Sequence, residues 1–201
     1  MKEKRANKKS FNLLREYKDS WEYIKESKTF IYFIAGIFLI FLLIGFFVPA
    51  PEFLYDRIMS YIRELLEKTE NMSQLELIWF IISNNIVSTF LGIILGVAIG
   101  IFPVFNSLTN GYMLGFVSLM SVNNGGIITL WKLFPHGIFE LPAVFISLGL
   151  GAKLGSFVFQ KEKAKSFKTY LMNSLRVFLL VIIPLLIIAG IIEAILMILI
   201  K

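Results

Sequence analysis

The sequence contains no cysteine, only one histidine and few charged residues. Without cysteine there is no disulfide, no thiolate metal site and no cysteine nucleophile. Charged residues make up 17% of the chain and hydrophobic residues 57%, whereas soluble domains average about 25% charged residues. These proportions exclude a disordered chain, a fibrous repeat and a typical soluble enzyme. They predict a protein that crosses a membrane several times.

Long apolar runs recur along the chain, and about 20 apolar residues are needed for one helix to cross a bilayer. Five runs meet or approach this length, at residues 30–48, 77–102, 110–122, 138–157 and 176–200. We therefore expect an all-α fold, a polytopic membrane helix bundle with about five transmembrane helices. Residues 1–29 are predicted to form a basic cytoplasmic segment, and residues 30–201 a single membrane domain.

Two polar segments carry apolar residues at helical spacing. In residues 1–29, Leu14, Tyr17, Trp21 and Ile24 are separated by three or four positions. In residues 52–76 an apolar stripe that includes Ile58 and Leu65 faces a charged side. This pattern is typical of amphipathic helices that lie at the membrane surface, so the lipid bilayer is an expected partner of both segments.

The net charge of +6 is concentrated in two places. Residues 1–29 contain nine lysines and arginines. The segment before the last apolar run carries Lys153, Lys161, Lys163, Lys165 and Lys168. Because short cytoplasmic loops are enriched in these residues, the pattern predicts a multi-pass protein of the cell membrane with a cytoplasmic N-terminus, and not a nucleic-acid-binding protein.

Small residues recur every fourth position in the second and fourth apolar runs. Residues four apart share one helix face, and small side chains let two helix backbones approach closely. Such faces predict a tightly packed bundle and also make a homodimer an option. The glycines assigned to helix packing are Gly92, Gly96, Gly100, Gly111, Gly115, Gly151 and Gly155.

Four polar residues within or beside the apolar runs form a candidate functional cluster: Asn84, Asn85, His136 and Glu140. His136 and Glu140 are four residues apart, so they share a helix face. A carboxylate within a membrane must be paired, protonated or near water. The pair fits a structural ion pair, a proton-linked site or a metal ligand pair, and the asparagines fit a substrate path.

The surroundings of these residues argue against catalysis and metal binding. His136 and Glu140 lack the second histidine of a His-Glu-x-x-His zinc site, and no further histidine or cysteine exists. No nucleophile elbow or phosphate-binding loop is present. We therefore expect no enzyme activity, no cofactor and no bound metal.

The stretch that contains the histidine is interrupted by several helix-breaking residues. Two asparagines and two glycines at 123–126 predict a break, and Pro135 suits the first turn of a helix. Pro142 is expected to bend that helix because it removes a hydrogen bond to the carbonyl of Ile138. The sequence thus predicts a kinked or re-entrant segment near residues 127–142.

The string Pro-His-Gly-Ile-Phe-Glu-Leu-Pro-Ala at residues 135–143, with Asn84 and Asn85 upstream and Gly111 and Gly115 between, resembles the stage II sporulation protein M family. The resemblance covers about residues 20–200. It implies a small multi-pass membrane protein. In spore-forming bacteria the family member works with peptidoglycan-degrading partners in engulfment of the forespore, and many relatives occur in organisms that form no spores.

Two functions are favoured over a third, an intramembrane metalloenzyme, which would need metal ligands from other spans. The first is a non-enzymatic membrane scaffold or organiser that recruits membrane or envelope proteins, in keeping with the resemblance. The alternative is a transporter or channel for a small solute, an ion or a lipid, which would use the region of Asn84, Asn85, His136 and Glu140.

Overall fold

The structure, a computed structural model, describes residues 12–132 and 134–199, with side chains except at 131–136, 139 and 193–199. This part of the chain forms eight α-helices and no β-strand. The helices are α1 (Leu13–Glu26), α2 (Lys28–Phe47), α3 (Glu52–Thr69), α4 (Gln74–Ile94), α5 (Ile101–Gly125), α6 (Phe134–Gly155), α7 (Lys163–Val177) and α8 (Ile183–Leu199). The expected all-α fold is confirmed.

Four helical stretches of the described residues are long and apolar enough to cross a membrane. They are Lys28–Phe47, Gln74–Val97, Glu140–Phe159 and Lys163–Ile192. They coincide with the first, second, fourth and fifth predicted spans. The third prediction, residues 110–122, falls inside the longer helix α5, which has 25 residues but also carries Asn106, Thr109 and Asn110.

The directions of the packed helices indicate where α5 runs. Helix α4 contacts α6 at Thr89 and Ser147, and the 3₁₀ extension of α4 contacts α6 further on, at Gly96 and Gly151. Because the residue numbers rise together in both helices, the two stretches are parallel. Since α5 leads from the end of α4 to the start of α6, it must return along the full length of the bundle. Its 25 residues correspond to about 37 Å at 1.5 Å per residue, enough for that path.

Helix α5 returns by packing lengthwise on α2. Ser107 donates to the carbonyl of Ile34 at 2.8 Å, and Gly115, two turns further on, lies against the backbone of Leu42. This pair is also parallel. Helix α6, by contrast, is antiparallel to α2, because Gly149 meets Ile31 whereas Phe145 meets Phe38. The directions of α2, α4, α5 and α6 therefore alternate along the chain.

Several predicted boundaries are wrong. The second span does not continue to residue 102, because a 3₁₀ turn, Leu95–Val97, ends it and the chain reverses at Ile99 (φ 55°) and Gly100 (φ 71°). Pro103 instead occupies the first turn of α5, where its missing N–H leaves no intrahelical bond unmade. The polar residues before the fifth span are also largely helical, since α7 continues through a π-helical segment, Phe178–Ile182, into α8.

The kinked or re-entrant segment is only partly as expected. Helix α5 continues through the predicted break to Gly125, and a 3₁₀ helix, Ile127–Lys132, follows Gly126 (φ 75°). Helix α6 begins at Phe134, with Pro135 in its first turn and Pro142 inside it. The second half of the segment therefore belongs to the fourth span, because the helix tolerates Pro142 once the neighbouring helices support it.

The two amphipathic helices attach differently to the bundle. Helix α1 packs on α7, and α2 follows it after a single residue, Ser27. Residues 1–11 of the predicted basic segment lie outside the described residues. Helix α3, shorter than the predicted 52–76, is anchored mainly by the buried Ile58 and by the Tyr55 ring, 5.7 Å from the Phe116 ring. Its side chains Phe53, Tyr61 and Leu66 stay exposed.

Candidate functional site

The predicted glycine rows of α4 and α6 lie against each other. A Cβ atom on Gly96 would collide with the backbone of Gly151, and one on Gly155 would collide with the backbones of Gly96 and Gly100. Beside them, the Ser147 hydroxyl donates to the carbonyl of Thr89. The two helices therefore meet backbone to backbone, an approach that only glycine permits.

The glycines of α5 make the equivalent contact with α2. Gly111 faces the backbone of Phe38, Gly115 that of Leu42, and Gly45 of α2 faces the backbone of Tyr112 in return. The helix faces of small residues, which make a homodimer an option from the sequence, therefore form contacts between helices of one chain. Any association between copies needs a different surface.

The four residues of the predicted polar cluster are only partly brought together. Asn85 and Glu140 are both half-buried. The parallel helices α4 and α6 touch at Thr89 and Ser147, and Asn85 lies four residues before Thr89 in α4. Glu140 lies seven residues before Ser147 in α6, so the two side chains are at similar levels of the bundle. Glu140 shares a face of α6 with Ser147, and its Oε2 atom is buried. Asn84 is exposed on the outside of the bundle. The side chain of His136 lies outside the described part of the structure.

A second polar cluster, around Lys153, was not identified from the sequence as a site. Lys153 belongs to α6, and its side chain is only 10% exposed. Its Nζ atom donates to Ser27 Oγ at 3.0 Å, lies 4.0 Å from the centre of the Tyr23 ring and is 3.8 Å from Glu26 Oε2. An ammonium group in this position is stabilised by the aromatic face and by the nearby carboxylate.

The residues around Lys153 join three helices at one end of the bundle. Ser27, at the junction of α1 and α2, accepts from Lys153 and donates to the carbonyl of Tyr23 at 2.6 Å. The Tyr23 hydroxyl donates to the carbonyl of Tyr170 in α7 at 3.4 Å. Burial raises the pKa of Tyr23 above its ordinary value, so the hydroxyl keeps its proton and remains a donor.

A neighbouring ion pair holds α1 to α7 one turn away. Arg176 Nε lies 2.6 Å from Glu16 Oε2, and Nη1 lies 3.9 Å from Asp19 Oδ2. All three side chains are partly screened from solvent, with exposures between 28% and 38%. Together with the Lys153 cluster, this pair fixes the amphipathic helix α1 against the ends of the membrane helices.

The lysine pattern of the sequence predicts that Lys153 belongs to a cytoplasmic loop together with Lys161, Lys163, Lys165 and Lys168. One signal was available, because Lys153 is the only charge in the otherwise apolar and small run from residue 141 to residue 159. Its partners Tyr23 and Tyr170 are 130 positions upstream and 17 downstream in the sequence. The spacing of these residues in the sequence does not predict that their side chains meet.

The arrangement offers hydrogen bonds and ion pairs rather than a metal centre. Among the residues that the structure describes, no three histidine, aspartate or glutamate side chains converge. These residues therefore offer the chemistry of buried or half-buried ionisable groups, one near Asn85 at Glu140 and one at Lys153.

Comparison with known proteins identifies the relatives of this chain. A family model described as Stage II sporulation protein M matches residues 30–196. An uncharacterized protein of the archaeon Methanocaldococcus jannaschii is 29% identical over 199 residues, covering 90% of this chain and 88% of the relative. No solved structure matches significantly. Because the family model covers most of the chain, including both glycine rows and the string at residues 135–143, this membrane protein belongs to the stage II sporulation protein M family.

Proposed function

We propose that the protein is a non-enzymatic scaffold of the cell membrane that spans it five times with its N-terminus in the cytoplasm. Its task is to hold partner proteins of the envelope at the membrane. The family's name links its members to sporulation, and remodelling of the envelope is the setting we infer for this chain. The observation that carries the proposal is the packed core of the bundle, in which glycines bring helix backbones into direct contact.

The interior of the described bundle is occupied by apolar side chains. Ile34, Ile93, Leu150, Leu154 and Ile182 are each fully buried. Around them the helix pairs α2–α5 and α4–α6 touch through backbone atoms at their glycines. Such a core gives a rigid platform, because movement of one helix would force backbone atoms of its neighbour apart.

The surfaces available to partners lie at the two ends of this platform. Helix α1 exposes Leu14 at 83% and Trp21 at 49%, next to Lys18 and Lys25. This combination suits insertion into the headgroup region of an anionic leaflet. At the other end, α3 exposes Tyr61 and Leu66 beside a groove lined by Asp56, Arg63, Glu64 and Glu67, among other residues. We assign partner binding outside the cytoplasm to α3.

A transporter or channel remains the second candidate function because two ionisable groups lie inside one candidate span. Glu140 and Lys153 both belong to the stretch Glu140–Phe159. Ionisable residues in membrane helices often mark ion or substrate paths. Asn85 lies near the level of Glu140 and would extend such a path.

Site-specific photocrosslinking and flux measurements separate the two functions. A photoreactive amino acid replaces Tyr61 or Leu66 of α3 in cells, and the matched control replaces Ile40, which is 57% exposed on the apolar helix α2. The scaffold proposal expects protein adducts from the α3 positions, identified by mass spectrometry as envelope proteins, and lipid adducts alone from position 40.

The flux arm uses the purified protein in sealed liposomes loaded with ions and small solutes. The scaffold proposal expects no flux above that of empty liposomes. Protein-dependent flux that Glu140→Gln abolishes would overturn it and favour transport.

A further inference from the structure

Helix α4 presents two polar side chains on the outside of the bundle, close to the middle of a candidate span. Asn84 and Ser88 are exposed and one turn apart. Asn84 lies ten residues after the start of the 24-residue stretch Gln74–Val97, or about 15 Å along its axis. The hydrocarbon core of a bilayer is about 30 Å thick, so this position lies far from either headgroup layer.

Within the described structure, the side chains of Asn84 and Ser88 form no hydrogen bond with the protein. Several other polar side chains of the helices, by contrast, have partners within the chain. Thr89 donates to the carbonyl of Asn85 at 2.7 Å, and Asn110 donates to the side chain and the carbonyl of Asn106 at 2.9 Å each. Lipid tails offer neither donors nor acceptors, so an amide exposed at this depth needs a partner from another polypeptide.

The exposed residues on this side of α4 form a seam. Asn84, Ser88, Leu91 and Leu95 follow one another at intervals of four, three and four, and both leucines are 40% exposed. This is the spacing at which two helices pack in a left-handed coiled coil. A polar residue in such a seam sets the register, because it is satisfied only when it meets another polar group.

We propose that the protein forms a parallel homodimer through the seam made by Asn84, Ser88 and Leu91 of α4 and Leu95 of its 3₁₀ extension. Two copies inserted in the same orientation and related by a twofold axis along the membrane normal place equal residues at equal depth. Asn84 then meets Asn84 of the second copy. An amide carries both donors and an acceptor, so the two side chains satisfy each other. The interface therefore needs no partner other than a second copy of this chain.

The absence of cysteine makes this interface testable by cross-linking of the full chain. Leu91→Cys and Leu95→Cys are introduced singly, and Ile40→Cys, which is also exposed but lies on α2, serves as a control. In liposomes that contain only the purified protein, the seam variants are expected to form disulfide-linked dimers on mild oxidation. Equal cross-linking of the Ile40→Cys control, or none at positions 91 and 95, would overturn the proposal.

A second measurement tests the role of the amide. Copies labelled at an introduced Lys161→Cys with donor or acceptor dyes are diluted into lipid, and the dissociation constant is read from energy transfer. Asn84→Leu is expected to raise that constant roughly tenfold, since two interhelical hydrogen bonds are lost. Asn84→Gln is expected to retain the dimer, as is Asn110→Leu, because Asn110 is satisfied within its own helix.

An Asn84→Leu protein that associates as tightly as the parent would contradict the seam. Folding of each variant is checked by its melting temperature at high dilution in detergent, which should be unchanged because Asn84 is exposed and not part of the core of one chain. A dimer suits a scaffold and a transporter alike, so failure of these tests leaves the proposed function standing.

Discussion

At the residue scale, the environment of Lys153 explains how a lysine is retained inside a helix bundle. The Tyr23 ring, the Ser27 hydroxyl and the Glu26 carboxylate surround the ammonium group within 4.0 Å. A buried charge without such partners would be costly, because desolvation opposes it. The cluster therefore links the docking of α1 to the folding of the membrane helices.

We expect Tyr23→Leu to destabilise the protein by about 2 kcal/mol, the range measured for cation–π contacts removed from solvent. Tyr23→Phe keeps the ring over Lys153 and loses only the contacts of the hydroxyl with Tyr170 and Ser174, so its melting temperature should fall much less than that of Tyr23→Leu. Tyr17→Leu is the matched control, since Tyr17 lies on the same helix at 39% exposure. Equal losses for Tyr23→Phe and Tyr23→Leu would show that the aromatic face is not what matters.

A second residue-scale prediction concerns His136 and Glu140. Their spacing of four residues predicts a shared helix face, so removing either is expected to leave the other in unfavourable surroundings, at about 1–3 kcal/mol for a polar group. The double variant His136→Ala with Glu140→Ala should then cost less than the sum of the single variants, as measured by thermal or denaturant unfolding in detergent. Strictly additive effects would mean that the two residues do not interact.

At the scale of helices, glycines with different surroundings allow a matched comparison. Gly96 lies against the backbone of Gly151, whereas nothing lies within 4 Å of a Cβ atom placed on Gly36 of α2. We expect Gly96→Ala to lower the melting temperature by several degrees, because a backbone atom cannot move aside as a side chain can. Gly36→Ala should be neutral or stabilising, since alanine favours a helix by about 1 kcal/mol over glycine.

If Gly96→Ala melts like the parent in detergent, the contact between α4 and α6 is looser than described. Gly96→Leu provides a stronger version of the same test, with Ile94→Leu as its control. A leucine at residue 96 would have to separate the two helices, whereas residue 94 keeps its side-chain volume.

At the scale of the whole molecule, the helix directions and the charge distribution lead to the same topology. The contacts of α2, α4, α5 and α6 show that these four helices alternate in direction, and a last span that continues the alternation would make five crossings. The contacts of Arg176 with Glu16 and Asp19 place α1 beside the start of the last span, where the lysine-rich segment lies. This arrangement predicts that both basic regions lie on one side of the membrane.

Cysteine labelling tests this arrangement. Single cysteines at Arg5 and Lys163 should react only with a membrane-impermeant reagent applied from the cytoplasmic side, and a cysteine at Ser60 of α3 only from the opposite side. The native chain contributes no background because it has no cysteine. Labelling of residues 5 and 163 from opposite sides would rule out five crossings.

Much of the fold is determined locally. Apolar runs of about 20 residues have few alternatives to a membrane helix, since only a helix satisfies its own backbone in lipid. The glycine rows likewise predicted close contacts from spacing alone. Helix ends were harder to place, because Pro103 is equally compatible with the end of one helix and the first turn of the next. The choice depended on the turn at Ile99 and Gly100.

The sequence by itself determined that this is a helical membrane protein, which faces of its helices can approach closely, and which family it belongs to. Only the tertiary structure decided which helices meet, that Lys153 lies between Tyr23 and Tyr170, and that Asn84 is exposed while Asn85 is half-buried. The reason is physical. Hydrophobicity and backbone satisfaction act within one segment, whereas the neighbours of a side chain depend on contacts between segments distant in the chain.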